Sequence, residues 1–359
     1  MTGDRVFVVA LAIATAGIYA PGLARGFCSE DFLILRRLWE RPSLAWENFV
    51  GPWLDTSLVS FYRPLASLVL QAELTIFGAV AWPYLLVQLL AHVANVVIAW
   101  SILRRLLSDA WAARWGAIAF ALHPLHPNAV SFIASFATVF AASAALVAVR
   151  WHLDGRPRAA TAALVAGLLC YEQVAVLPAA LLALDAARAL GGDRSIRRSA
   201  ARRSAVAWHA AYWLAALSYL VLRRLALGAS VGGYRSFQER LDPAAWLELT
   251  RGLGSGLQRL VWPQVAPEPW PWIALGAALG VLIAAVVARR AGGRGRRAWA
   301  MLLAGLAWCA LLLAPFAFVG IVPGNGRYAY LTSFGVALAV GASRPLLELA
   351  LGRLVGRRA

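Results

Sequence analysis

Long apolar stretches, each ended by a short polar or arginine-rich connection, recur along the whole chain. A helix needs about 20 apolar residues to cross about 30 Å of hydrocarbon. On that measure the pattern predicts ten spanning helices, at 6–23, 82–103, 112–123, 129–149, 159–171, 174–188, 205–225, 271–288, 298–319 and 329–343. The third, fifth and sixth are short, so they are expected to thin the bilayer, extend into their flanks or be partly re-entrant. The first stretch, Val6 to Leu23, runs into "APGLARGF" at 20–27, a poor signal-peptidase site, and reads as a retained helix. The apolar segment "SLVSFYRPLASLVLQAELTIF" is interrupted by Arg63 and Pro64 and reads as an interfacial or re-entrant helix. Residues 243–262 are amphipathic and read as a helix lying on the membrane surface.

Composition turns this pattern into a fold class. Of 359 residues, 61% are hydrophobic and 14% charged, and the mean hydropathy is +0.67. Soluble domains run at about 45–50% apolar and about 25% charged, so lipid must take up the surplus apolar surface. The chain reads as an all-α polytopic membrane protein, one transmembrane domain over 1–359 without a separate soluble domain. The net charge of +17 comes from arginine alone, since the chain has no lysine. These arginines cluster between apolar segments, which is the pattern of cytoplasmic loops and not of a nucleic-acid-binding surface. With the N-terminus inside, the clusters at 104–114, 150–158, 188–203, 289–297 and 353–358 all fall on one side. Both termini are then cytoplasmic, and two long outer loops, 24–81 and 226–270, carry acids, aromatics and Trp-Pro clusters. The expected location is a bacterial inner (plasma) membrane.

The remaining polar groups collect in the outer turns. Glu30 and Asp31 follow the first span, and Tyr62 and Arg63 sit in the first outer loop. His123 and His126 join spans three and four, and Glu172 joins five and six. Arg223 and Arg224 close span seven, and Arg327 with Tyr328 and Tyr330 joins the last two. Each has a plain structural reading as a cap, a solvated loop or an interfacial anchor. Their convergence on one face is what favours function, since ionisable groups at a membrane are costly. A carboxylate there can serve as general base toward a hydroxyl, and arginine forks hold phosphate and stabilise a leaving phosphate. With apolar grooves for an isoprenoid tail, these groups suit sugar transfer from a polyprenyl-phosphate donor. Cys28, Cys170 and Cys309 lack metal-site spacing. A Cys28–Cys170 disulfide near the outer face is left open.

Five motifs occur in order over residues 20 to 335: Gly26-Phe27-Cys28-Ser29-Glu30-Asp31, "YRPL" at 62–65, "HPLHPNAV" at 123–130, "CYEQVAVLP" at 170–178 with Asp185 beyond, and "GRYAYLTS" at 326–333. Together they resemble the GT-C glycosyltransferases, nearest to the transmembrane O-mannosyltransferases that carry tetratricopeptide repeats. The family patterns are an acidic pair after the first helix, "YRPL", "HPIHTEAV", "SKE…LP" and "ERYLYLPS". The chain departs from them at Asn128, Phe136, Thr138, Tyr171 and Gly326, and the repeat domain is absent.

The resemblance implies a GT-C bundle of about ten transmembrane helices with interfacial helices in the outer loops. It also implies an inverting glycosyltransferase, with mannose as the family's commonest donor sugar, working on the outer face. Asp31 would be the general base and Glu30 would orient the acceptor or hold a divalent cation, although no cofactor is required. Arg63, Arg327 and Arg224 would stabilise the phosphate. His123 or His126 would bond the sugar or phosphate, and Tyr62, Glu172 and Tyr328 would complete the donor site. The acceptor is a protein, a glycan or a lipid. Two other readings use the same residues: a transporter or flippase for a lipid-linked saccharide, and a GT-C protein that binds lipid without turnover. Transporters often carry inverted repeats and midplane charges, and the sequence shows neither, which favours the enzyme.

Overall fold

A computed structural model of the chain describes residues 2–55, 61–107, 109–193, 199–228, 256, 285, 292–318 and 326–356. It is all-α, with no strand among the described residues. The helices are α1 (Thr2–Tyr19), α2 (Glu30–Glu40), α3 (Leu44–Glu47), α4 (Pro64–Phe77), α5 (Ala81–Leu106), α6 (Ala110–Ala121) and α7 (Pro127–Val130). They continue as α8 (Phe136–Leu153), α9 (Pro157–Cys170), α10 (Leu177–Leu190), α11 (Ser199–Leu227), α12 (Gly292–Phe318) and α13 (Ser333–Gly356). Among the described residues, seven helical stretches are long and apolar enough to cross a membrane. The chain is a polytopic membrane protein.

The expected spans map onto these helices closely, and the differences have local causes. The span expected at 129–149 is broken at its start. Pro127–Val130 and the 3-10 turn Ile133–Ser135 precede the straight helix α8, because "HPLHP" removes backbone donors and disfavours helical backbone before each proline. The short spans expected at 112–123 and 159–171 are helices of 12 and 14 residues, or roughly 18 and 21 Å at 1.5 Å per residue. The one expected at 174–188 gains length from the 3-10 turn Glu172–Val176 before α10. The interrupted segment is helix α4, begun by Pro64 at its first position and ended by Gly78 at φ +58°. The expected span 271–288 and the expected surface helix at 243–262, with most of the second outer loop, lie outside the described residues. All three cysteines are free.

Close backbone approach holds the centre of the bundle. α12 and α13 meet at Gly305 and Gly335. A Cβ on Gly305 would lie 2.6 Å from the Gly335 carbonyl, and one on Gly335 would lie 2.5 Å from that of Gly305. α13 meets α6 in the same way, Gly116 against Ala337 and Gly341 against Ala112. Lipid offers helices no hydrophobic drive to associate, so small residues that bring backbones together supply the attraction. Trp308 adds a bond from its indole N–H to the Leu331 carbonyl at 3.0 Å.

Two unlike faces result. At one, the arginines are stitched to acids: Arg104 and Arg114 each reach Asp4 at 3.1 Å, Arg105 and Arg150 pair with Asp154, and Arg344 pairs with Asp109. Asp109 also caps α6, accepting from the N–H groups of Trp111 and Ala112. The other face gathers the turns that carry the polar motifs. Substituting Gly335→Ala at the α12–α13 crossing is expected to cost about 1–3 kcal/mol through overpacking. Thermal unfolding of the detergent-solubilised protein should read this as a lowered midpoint.

Candidate active site

The acidic pair opens α2, where its charge faces the positive end of the helix. Chain reversal after the first span passes through Ser29, whose backbone at φ 49°, ψ −117° is one that residues other than glycine rarely adopt. Costs of about 1–3 kcal/mol are typical of such residues, and they concentrate at functional sites. One residue of helical rotation then sends the two carboxylates in different directions. Asp31 is 1% exposed; its Oδ2 accepts from the Cys28 N–H at 3.0 Å and its Oδ1 from the Ala134 N–H at 2.7 Å. It therefore ties the segment after α1 to the turn before α8. Burial raises the Asp31 pKa above the usual carboxylate range, outweighing the two N–H bonds that oppose the rise. The Glu30 side chain is 48% exposed and faces Arg327.

Arg327 sits in the 3-10 turn Gly326–Ala329. It donates to Glu30 Oε2 at 2.8 Å and Oε1 at 3.3 Å, and to the Tyr328 hydroxyl at 3.2 Å. Its guanidinium lies 5.6 Å from the Phe132 ring centroid and 5.1 Å from that of Tyr328. Desolvation alone would lower its pKa, but the bond to Glu30 holds it above the ordinary arginine value. Gly326 explains one departure from the family pattern. A Cβ there would fall 2.3 Å from the Leu125 carbonyl oxygen, so the turn lies directly on the His123–His126 segment and leaves no space for glutamate.

A second ion pair stands close by. Arg63 donates to Glu172 from two nitrogens, at 2.9 and 2.6 Å, in the fork geometry of a bidentate pair. Aromatic rings surround it, with centroids at 3.9 Å for Phe61, 4.3 Å for Tyr171 and 5.6 Å for Trp53. Tyr171, which replaces the family lysine, forms part of this cage and also lies within electrostatic range of Arg327. Phe316 bridges the two clusters by packing on Tyr171 and Tyr328.

The other sequence candidates divide into positioning and packing residues. Tyr62 is buried; its hydroxyl donates to the Phe49 carbonyl at 2.9 Å and its own carbonyl accepts from Tyr219. His123 is buried, and its Nδ1 accepts from the Leu125 N–H at 3.4 Å. It also lines a cleft of about 300 Å³ with Ile18, Tyr19, Leu122 and Ser131. His126 is fully buried, its Nε2 within 2.7 Å of Ser333 Oγ and its ring 4.5 Å from that of Tyr330. It locks the turn to α13, and burial lowers its pKa well below the usual histidine value.

Arg224 is exposed, whereas Arg223 is 2% exposed, near Glu172 and hydrogen-bonded to Tyr219. The sequence contained the signal for this choice. Tyr212, Ala216, Tyr219 and Arg223 recur at helical spacing and form the buried stripe of α11. Gln173 was also missed: its amide donates to the Leu312 and Tyr328 carbonyls and the Thr332 hydroxyl. Nothing in the sequence separated it from an ordinary turn residue. Asn128 is exposed, and Phe136 and Thr138 are buried at the head of α8.

The donor set does not fit a divalent cation resident on the acidic pair. Glu30 faces a guanidinium, and each Asp31 oxygen already accepts a backbone N–H. Cation sites need several oxygens converging on one point, and here the two carboxylates diverge.

The chain is 30% identical to the protein O-mannosyl-transferase Tmtc2 of Drosophila melanogaster over 169 residues, 43% of this chain and 18% of that protein. It is 30% identical to human TMTC2 over 129 residues, 34% of this chain and 15% of that protein. The alignments thus span less than a fifth of these relatives' length, and they support a relation to that family. No protein-family profile matches the chain, and no solved structure matches it.

Glu172→Gln leaves Arg63 buried without its matching charge and is expected to cost about 3–5 kcal/mol. The double variant Arg63→Met with Glu172→Met should melt above either single variant in detergent. Additive losses would show that the pair does not act as a unit.

Proposed function

We propose that the chain is an inverting glycosyltransferase of the outer membrane face, moving a sugar, with mannose the first candidate, from a polyprenyl-phosphate donor to an acceptor hydroxyl. The observation that carries this reading is the Glu30–Arg327 pair. It sets a half-exposed carboxylate and a mostly buried guanidinium 2.8 Å apart at the face where the polar motifs gather. Distant similarity to O-mannosyl-transferases supports the same class.

In this mechanism the acceptor oxygen attacks the anomeric carbon and the carbon–oxygen bond to phosphate breaks from the opposite side. The bonding electron pair leaves with the polyprenyl phosphate, and the acceptor proton passes to a carboxylate. Glu30 fits the base better than Asp31 does, which reverses the roles drawn from the resemblance. A base must reach the acceptor, and Asp31 is buried with both oxygens on backbone N–H groups. Asp31 would act by positioning Glu30. Arg327 would release Glu30 as donor phosphate takes over its guanidinium, pairing the arrival of donor with the freeing of the base. Arg63, Glu172 and Arg223 would brace this arrangement from the aromatic side. The apolar cleft beside His123 is suited to isoprenoid chain, where burial yields about 0.8 kcal/mol per CH₂. The acceptor class, whether protein, glycan or lipid, follows from neither observation.

The test is transfer of radiolabel from polyprenyl-phosphate mannose, glucose or arabinose in membranes holding matched amounts of each variant. Glu30→Gln should lower transfer by about 10²–10⁴ and Arg327→Met by about 10²–10³, and Glu30→Gln should destabilise less than Glu172→Gln because Glu30 is half-exposed. Asp31→Asn should lose both activity and stability, because its amide would turn a donor toward one of the two backbone N–H groups. No transfer from any donor by wild type, with donor still bound, would move the assignment to a lipid-binding protein. Full activity of Glu30→Gln would return the base to Asp31.

A further inference from the structure

We propose that His152, Asp185 and His209 form a transition-metal site, with zinc as the fitting ion, at the arginine-rich face of the bundle opposite Glu30 and Arg327. The three residues come from the end of α8, the second half of α10 and the first half of α11, so no sequence spacing announces them. His152 Nε2 lies 3.0 Å and His209 Nε2 lies 3.1 Å from the same atom, Asp185 Oδ2. All three ligand atoms fall within 4.8 Å of one another. Zinc bound at about 2.0–2.1 Å in tetrahedral geometry holds its ligand atoms roughly 3.3 Å apart. Both histidine–aspartate separations already match this to a few tenths of an ångström, while the two imidazole nitrogens, within 4.8 Å of each other, would close by up to about 1.5 Å through side-chain rotation to admit the ion, leaving the fourth position to water.

The surroundings also suit a metal. The three side chains are 9, 12 and 11% exposed, in chain order, so they are shielded but reachable. Metal-binding histidines are usually oriented by a partner on the far ring nitrogen, and His152 Nδ1 has the Tyr212 hydroxyl at 3.1 Å. The other Asp185 oxygen accepts from Arg188 at 2.9 Å. Arg188 in turn pairs with Asp193 at 3.0 Å, so its single positive charge is shared between two carboxylates and negative charge remains for a cation. Both imidazoles would coordinate through Nε2 as neutral Nδ1–H tautomers. The ion would fasten α8, α10 and α11 together at their cytoplasmic ends in the expected topology.

The test uses the full chain in detergent, purified on a tag without histidine, stripped with a chelator and titrated with Co²⁺ as a spectroscopic stand-in for Zn²⁺. One Co²⁺ per chain is expected, with visible d–d absorption of a low-coordinate nitrogen and oxygen site that Zn²⁺ abolishes. Zn²⁺ should also raise the melting temperature. His209→Gln and Asp185→Asn should each weaken binding at least tenfold, while Glu30→Gln and His123→Gln, at the other face, should leave it unchanged. Folded wild-type protein that binds no stoichiometric Co²⁺ overturns the proposal whatever the variants do. Binding unchanged in His209→Gln, or lost in Glu30→Gln, overturns it as well.

Discussion

Arg63 carries a full charge into a bundle whose surroundings are lipid and aromatic rings, and it is tolerable there only because Glu172 meets it with two short bonds. Isolated buried charge is far more costly than a pair, and a pair is stable only when its geometry satisfies both groups. That requirement fixes where the loop after the first span can lie. The "YRPL" segment must reach across to the turn between α9 and α10, 109 residues away in sequence. Once it does, Phe61, Trp53 and Tyr171 close over the guanidinium, and Tyr62 hands its carbonyl to Tyr219 on α11. The Arg327–Glu30 pair applies the same constraint a second time, over 297 residues. Two buried arginines thus bring the loops of one face together.

The pair at the head of α2 shows how one residue of helix rotation divides labour between similar side chains. Asp31 turns inward and spends its oxygens on backbone donors of two separate segments. Glu30 turns outward and keeps contact with a guanidinium and with solvent. Anchoring and reactivity ask for opposite surroundings, a satisfied buried group in one case and an accessible one in the other. Adjacent positions at a helix start supply both, at the cost of the unusual backbone at Ser29.

The opposite face runs on different chemistry. Aspartates at 4, 109, 154 and 185 each collect arginine or histidine partners from other helices, so the arginines clustered at this face also hold its helix ends. Between the two faces the bundle relies on glycine and alanine contacts along α6, α12 and α13, because lipid leaves backbone proximity as the main source of attraction.

By itself the sequence located the long apolar helices that the described structure contains, to within a few residues for most of them. An apolar run must match the hydrocarbon thickness, and such runs are visible in one dimension. It also exposed most of the polar exceptions, since any ionisable group beside a span stands out against 61% hydrophobic residues. Only the tertiary structure decided how those exceptions pair. It turned Asp31 inward and Glu30 outward, and placed Gly326 where backbone contact with Leu125 forbids a side chain. It also assembled His152, Asp185 and His209 from three helices. Each of these outcomes depends on the distance between segments far apart in the chain, set by how the helices pack. A local pattern of apolar and polar residues carries no record of that distance.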